Sequence, residues 1–265
     1  MSRLRIATWN VNSIRIRLVR LRAWLEQRSP DVLCLQETKV VDESFPLAEI
    51  ERAGYRAAIF GQKTYNGVAI FAKEEPTDVV CGFADGAAES DARLIAATVR
   101  GVRVISAYFP NGSTVGSEKY VYKRAWIARL KAYLERRHTK SDVLALCGDF
   151  NVAPEAIDVA FPEAWKDSVL FCDEIRADLA GLRAFGLADS FRRLNGEAGW
   201  YSWWDYQMLA FPKNNGLRID HIDVTEPLAR KLAAVAIDRD QRKPSACPEG
   251  TKPSDHAPVF ADFEL

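Results

Sequence analysis

The sequence is poor in the residues that build most zinc and disulfide sites, with three histidines and five cysteines in 265 residues. The cysteines (Cys34, Cys81, Cys147, Cys172 and Cys247) are odd in number and scattered, with no CxxC pair. This argues against a disulfide framework or structural zinc and fits a reducing cytoplasm. No apolar run approaches the roughly 18–20 residues of a membrane span. The opening stretch MSRLRIATWNVNS lacks the apolar core of a signal peptide. Net charge is zero, so the chain as a whole exerts no pull on a polyanion. No linker rich in Pro, Gly or Ser divides it. What remains, 48% hydrophobic and 27% charged, is the composition of a soluble globular protein. A chain this long buries about 70–75% of its unfolded surface and needs no covalent staple. One folded domain over residues 1–265 is expected, cytoplasmic and working as a monomer.

Zero net charge conceals two basic segments. Residues 1–28 carry seven arginines against Glu26, and residues 119–140 carry eight Lys or Arg against Glu135. Such clusters either supply a local field for a phosphate backbone or are solvated helix faces. Hydrophobic spacing predicts a strand over 4–9 and a helix over 14–28. That helix has Ile14, Leu18, Leu21 and Leu25 on one face and its arginines opposite. An apolar strand over 31–35 then runs into Gln36 and Glu37. A second helix is predicted over 118–137, with Trp126, Ile127, Leu130, Tyr133 and Leu134 at helical spacing. It precedes an apolar strand over 142–147 that runs into Gly148-Asp149. Basic helix, D-V-L-x-L strand and terminal acid thus occur twice. Short strands over 55–60, 67–72, 77–82, 94–99 and 102–108 suggest antiparallel meanders. A helix near 173–185, an aromatic loop at 200–206 and strands over 217–224 and 257–263 follow. The expected class is α/β, a four-layered helix–sheet–sheet–helix sandwich of mixed, mostly antiparallel sheets.

Polar residues cluster just beyond the strand ends: Asn10 and Asn12, Glu37, Asp149 and Asn151, Asp220 and His221, Asp255 and His256. Oxygen-rich donors with few histidines suit a hard cation, Mg²⁺ or Mn²⁺, rather than zinc. Asp149 and Asn151, two apart in an extended segment, face the same way. Taken singly, each has a plainer role. Asn10 and Asn12 suit the start of the first helix, Asp149 a turn, Glu37 a surface strand end, and His256 a satisfied structural histidine. Their joint occurrence favours a shared cleft.

In order along the chain stand Thr8-Trp9-Asn10-Val11-Asn12, Leu35-Gln36-Glu37-Thr38-Lys39, Tyr108-Phe109-Pro110-Asn111-Gly112, Gly148-Asp149-Phe150-Asn151, Leu217-Arg218-Ile219-Asp220 and Ser254-Asp255-His256-Ala257-Pro258. These blocks resemble those of the exonuclease III family within the endonuclease/exonuclease/phosphatase superfamily, from residue 4 to about 263. The run Trp200–Tyr206, followed by Asn214-Asn215-Gly216-Leu217-Arg218, resembles the DNA-repair branch. The resemblance implies a metal-dependent phosphodiesterase. Glu37, Asn10 and Asp255 would hold the metal, with Asp149, Asn151 and His256 also in reach of it. Asp149 would deprotonate the attacking water or shuttle a proton, and Asn151 would orient that water. His256, buttressed by Asp220, would bind the scissile phosphate, while Tyr108 would assist the leaving group. Whether Asp149 or His256 is the base stays open. A metal and hydrogen-bond donors suit a reaction that adds charge to an anionic phosphodiester.

The implied partner is double-stranded DNA bearing abasic sites, nicks or 3′ ends. Candidate DNA contacts are Arg15, Lys63, Tyr65, Asn111, Lys123, Arg124 and Arg218, with Trp203 and Trp204 stacking on a sugar or base or packing in the core. Two departures from the family pattern stand out. Ser13 replaces a common glycine, a harmless change on sequence grounds. Ile175 stands where a glutamate is common, and nearby Leu170 or Phe171 is expected to narrow the cleft, which leaves abasic-site cleavage and 3′-end trimming in competition. Other readings are a specialised 3′–5′ exonuclease, a phosphatase or phosphodiesterase on small phosphoesters, and a nucleic-acid-binding module with a disabled site. The last is disfavoured because no catalytic group is missing.

Overall fold

In the computed structural model, which describes residues 3–87, 91–246 and 251–265, the repeated helix–strand–acid pattern becomes two equivalent units. Cys247 lies outside the described residues. The strands are β1 (Arg3–Asn10), β2 (Val32–Gln36), β3 (Arg56–Phe60), β4 (Val68–Ala72), β5 (Thr77–Cys81), β6 (Leu94–Val99), β7 (Val102–Tyr108), β8 (Leu144–Asp149), β9 (Leu187–Asp189), β10 (Asp220–Thr225), β11 (Leu232–Ile237) and β12 (Val259–Glu264). They form two six-stranded sheets, ordered β11-β12-β1-β2-β4-β3 and β5-β6-β7-β8-β10-β9. Helix α1 (Ile14–Arg28) joins β1 to β2, helix α2 (Leu47–Arg52) precedes β3, and helix α3 (Glu118–Arg137) joins β7 to β8. β1–β2 and β7–β8 are the parallel pairs; the other described pairings are antiparallel.

Alternation along each strand accounts for the layers. Leu4 and Ile6 of β1 join Val32, Cys34, Ile95, Val104, Cys147 and Ile222 in the core between the sheets. Ala7, Trp9, Leu33 and Leu35 point the other way and pack under Ile14, Leu21, Trp24 and Leu25 of α1. Likewise Leu144 and Leu146 of β8 pack under Trp126, Ile127, Leu130 and Leu134 of α3. Strands covered on both faces must read as continuous apolar runs, hence the two D-V-L-x-L segments. The four-layered sandwich is as expected.

Several details differ from expectation. The antiparallel strands pair as expected but are divided between the sheets, β3–β4 in one and β5–β6–β7 in the other. The strand expected over 217–224 starts at Asp220, and Leu217 instead bridges Val159 and Trp203. The arginines of α1 are not all on its outer face. Arg17 and Arg20 are buried, and Arg20 donates to the carbonyls of Gln241 and Lys243 at 2.8 and 3.3 Å. Among the described residues no helix is long and apolar enough to cross a membrane.

Candidate active site

Both parallel pairs end at the same edge of the sandwich, and the polar clusters collect there. Asn10 closes β1, Glu37 follows β2, and Asp149 closes β8. Asp220 opens β10 directly opposite Asp149 in the antiparallel register. His256 lies just before β12, bridged to Trp203. Ligand atoms of Glu37, Asp149 and His256 come within 4.8 Å of one another. Residues more than 200 positions apart in sequence therefore meet because central strands from both sheets deliver them.

The Asn10 amide nitrogen donates to Glu37 Oε1 at 2.8 Å and to Asp149 Oδ2 at 2.9 Å, while its Oδ1 accepts from the Asn12 backbone N–H. Asn10 thus bridges the two carboxylates with its donor side. Asn151 donates from its backbone to Asp149 Oδ1 at 2.9 Å and from its amide to the Phe109 carbonyl at 3.0 Å. Asn111 donates in turn to Asn151 Oδ1 at 3.2 Å. His256 Nδ1 lies 2.9 and 3.1 Å from the Asp220 oxygens, and its Nε2 lies 3.7 Å from Asp149 Oδ2. Asp255 is turned elsewhere, accepting from Asn12 Nδ2 at 3.0 Å and Trp203 Nε1 at 3.1 Å, and it stands outside the three-residue cluster.

Charge in this edge is strongly shaped by burial. Burial raises the Asp149 carboxyl above its usual range, with Asp220 and Glu37 adding to the rise against His256 and the Asn10 amide. Burial pulls the His256 imidazole down, but the Asp220 and Asp149 carboxylates outweigh it and lift its pKa to about 10. An imidazolium flanked by two acids is a hydrogen-bond donor, not a base. The Tyr108 phenol is pushed well up, first by burial and then by the charges of Glu37 and Asp149. Its ring lies under the Arg93 guanidinium, 4.8 Å away. A cavity of about 600 Å³ opens beside it, lined by Glu37, Lys39, Tyr65, Arg93, Tyr108 and Asn111 among others.

The DNA-contact candidates divide. Arg15, Lys63, Tyr65 and Asn111 are exposed, and Trp203 is half-buried beside Asp255. Arg124 is only partly free, since Asp178 holds its guanidinium at 2.6 Å. Three others are not surface residues at all. Arg218 is fully buried and paired with Asp158 and Asp189 at 2.7 Å each. Lys123 is fully buried under backbone carbonyls. Trp204 is core, with its Nε1–H donated to Asn214. In each case an internal partner takes a polar group of the residue that was expected to meet DNA.

Leu170, Phe171 and Ile175 are also core residues, so they do not narrow the cleft. Ser13 is not a harmless replacement: it sits at φ 90°, ψ 109°, a region glycine tolerates and other residues do not. The sequence reading missed Lys39 and Arg93. Lys39 Nζ lies 2.8 Å from Glu37 Oε2 and 2.6 Å from Asn12 Oδ1. The available signal was a cation two residues past the conspicuous acid.

A second group of possible metal ligands, Asp189, His221 and Asp223, is occupied internally. Arg183 and Arg218 bind its carboxylates, and His221 sits between Arg218 and the Val152 carbonyl.

The family model for endonuclease/exonuclease/phosphatase proteins matches residues 7–256. Over 98% of the chain and the whole of the relative, the sequence is 37% identical to exodeoxyribonuclease III of Haemophilus influenzae. An AP endonuclease from Archaeoglobus fulgidus superimposes with a TM-score of 0.93 at 40% identity, covering 99% of this chain and 100% of that one. The 3′ phosphatase NExo from Neisseria, bound to a product DNA hairpin, gives 0.91 at 39% identity with the same coverage. With both sequence and fold matched from end to end, the chain belongs to the endonuclease/exonuclease/phosphatase family.

Proposed function

We propose that this enzyme is a divalent-metal-dependent DNA-repair phosphodiesterase. It hydrolyses duplex DNA from 3′ ends, removes 3′-blocking groups and cuts 5′ to abasic sites. The observation that supports this most is the meeting of Glu37, Asp149 and the Asp220–His256 pair at one sheet edge. Its electrostatics separate an acid from a base, as hydrolysis of a phosphodiester requires. Asp149, a carboxylate made more basic by burial, accepts the proton of the attacking water. Asn151, bonded to Asp149 and Asn111, orients that water. His256, kept cationic by Asp220, donates from Nε2 to a non-bridging phosphate oxygen. Tyr108, protonated at neutral pH, donates toward the 3′ oxygen as the P–O3′ bond breaks, leaving a 3′ hydroxyl and a 5′ phosphate.

The donor set at Glu37 fits Mg²⁺ or Mn²⁺. It is carboxylate and amide oxygen, without thiolate, and the Lys39 ammonium already rests against Glu37. Glu37 would hold the metal with oxygens of the Asn12 and Asp149 segments. When bound, such a cation would neutralise charge gathering on the phosphate oxygens. Arg15, Lys63, Tyr65 and Asn111 supply exposed polar groups for the duplex backbone, with Trp203 at the rim. Every one of these groups comes from a single chain, so a monomer suffices.

The test is incubation with two labelled duplexes, one holding an internal abasic-site analogue and one a recessed 3′ end, in Mg²⁺, Mn²⁺ or EDTA. Metal-dependent nicking 5′ to the abasic site and 3′ trimming are expected together. Trimming without nicking would restrict the enzyme to 3′ ends. Cleavage of neither would overturn the DNA reading.

A further inference from the structure

Lys39 is held against the carboxylate that is proposed to bind the metal. Its ammonium touches Glu37 Oε2 at 2.8 Å and Asn12 Oδ1 at 2.6 Å. Asn12 passes the link on, donating to Asp255 Oδ1 at 3.0 Å. Glu37 Oε1 is taken by the Asn10 amide, so Lys39 is the cationic partner of that carboxylate. Both side chains are well covered, with 26% of Lys39 and 17% of Glu37 exposed. In such a setting an ion pair is screened less than on the open surface.

The backbone is bent to achieve this contact. Glu37 and Lys39 adopt φ values of 52° and 56°, left-handed conformations that residues with a Cβ take up at a cost. The turn is pinned on both sides: Ser13 N–H donates to the Glu37 carbonyl, and Lys39 N–H donates to the Asn66 carbonyl at 3.0 Å. Lys39 also lines the cavity of about 600 Å³ that opens beside Tyr108. Its long stem lets the ammonium leave Glu37 without moving the backbone.

We propose that Lys39 is a resident counter-cation of Glu37 which an incoming divalent metal displaces, so that metal binding frees a positive charge into the substrate cavity. This rests on the metal reading above. Two consequences follow from charge balance. Without metal, the ammonium relieves the repulsion of Glu37, Asp149 and Asp255 and adds to the stability of the metal-free protein. With metal, two cations cannot share Glu37 Oε2, so intrinsic metal affinity is weakened by whatever the ion pair contributes. The released ammonium then faces the same cavity as Arg93 and is placed to meet a phosphate oxygen of the substrate. Metal and nucleic acid thereby assist each other through a single side chain.

The experiment is Mn²⁺ binding to DNA-free protein, measured by titration calorimetry on the wild type, Lys39→Met, Lys39→Arg and Lys119→Met. Lys119 lines the same cavity and controls for the general loss of one nearby positive charge. Lys39→Met is expected to bind Mn²⁺ at least about threefold tighter, the scale set by an ion pair still partly open to solvent. Lys39→Arg and Lys119→Met should stay close to wild type. In parallel melts, Lys39→Met should lose thermal stability in EDTA and regain more on adding Mn²⁺ than the wild type does. Unchanged or weaker Mn²⁺ binding by Lys39→Met, or equal tightening by Lys119→Met, would overturn the displacement and leave the metal reading intact. Failure of the wild type to bind Mn²⁺ at all would overturn both.

Discussion

Replacing Lys123 by methionine separates an internal strut from a DNA contact. The Lys123 side chain is fully buried, and its ammonium donates to the carbonyls of Asn111, Asn151 and Val169 at 3.1, 2.7 and 2.6 Å. Methionine fills most of the same volume but leaves three carbonyls without a donor. Burial pulls the Lys123 amine down to about 7, so it is only partly charged at neutral pH; its hydrogen bonds then contribute about 1–3 kcal/mol each, and part of that is offset because the group no longer needs burying. A net loss of about 3–5 kcal/mol is expected, the usual cost of removing one partner from a buried charged network. At about 2–4 °C per kcal/mol for a chain of this size, Tm should fall by about 6–20 °C. Two of the three carbonyls belong to Asn111 and Asn151. The variant should therefore lose turnover, by about 100-fold for a displacement near 1 Å. DNA affinity measured between 50 and 200 mM salt gives the contrast. A phosphate contact contributes about 0.9 to the slope of log K against log salt, whereas a strut contributes nothing. An unchanged Tm with a slope reduced by about one would refute the strut and restore Lys123 to the DNA interface.

Three further outcomes follow from particular side chains. Ser13→Gly should stabilise the protein by about 1 kcal/mol, because relief of the φ 90° conformation exceeds the extra unfolded-state entropy of glycine; a urea midpoint that does not rise contradicts this. For Asp158, burial pushes the carboxyl up, but Arg218 and Arg192 outweigh it and hold it below its ordinary value. Its contribution is complete above about pH 4 and is lost as pH falls through the lower folded value, so Asp158→Asn should flatten the fall of Tm below pH 4, and parallel curves would contradict the assignment. Trp204→Ala, in a fully buried position, should cost about 3–5 kcal/mol in denaturant titration, and a loss below 1 kcal/mol would place that ring outside the core.

The layer architecture was legible because both parallel units bury their strands on two faces, and continuous apolar runs mark such strands. β11 was not, since LAAVAI is apolar at every position and carries no alternation, with Ala233 and Ala234 exposed. Glu37, Asp149, Asp220 and His256 were legible as acids and an imidazole at strand ends, and they do converge. The misplaced basic residues share one cause. Basic residue type does not tell a buried cation from a solvated one, so Arg218, Lys123 and Arg20 looked like surface charge until their acceptors were known. Those acceptors are mostly backbone carbonyls and acids distant in sequence, such as Asp158, 60 residues from Arg218. Lys39 carried the opposite difficulty. Its position beside Glu37 was visible, but the left-handed turn that brings its ammonium back onto that carboxylate was not.

The central claim is that Asp149 and the Asp220–His256 pair carry out metal-dependent cleavage of DNA. Its most direct test is the single-turnover rate of cleavage of an abasic duplex in Mg²⁺ by Asp149→Asn and His256→Asn, with the Kd for DNA measured alongside. The account predicts rates lower by about 10²–10⁴-fold for each, with DNA affinity within a few-fold of wild type. Rates within tenfold of wild type for either variant would contradict it.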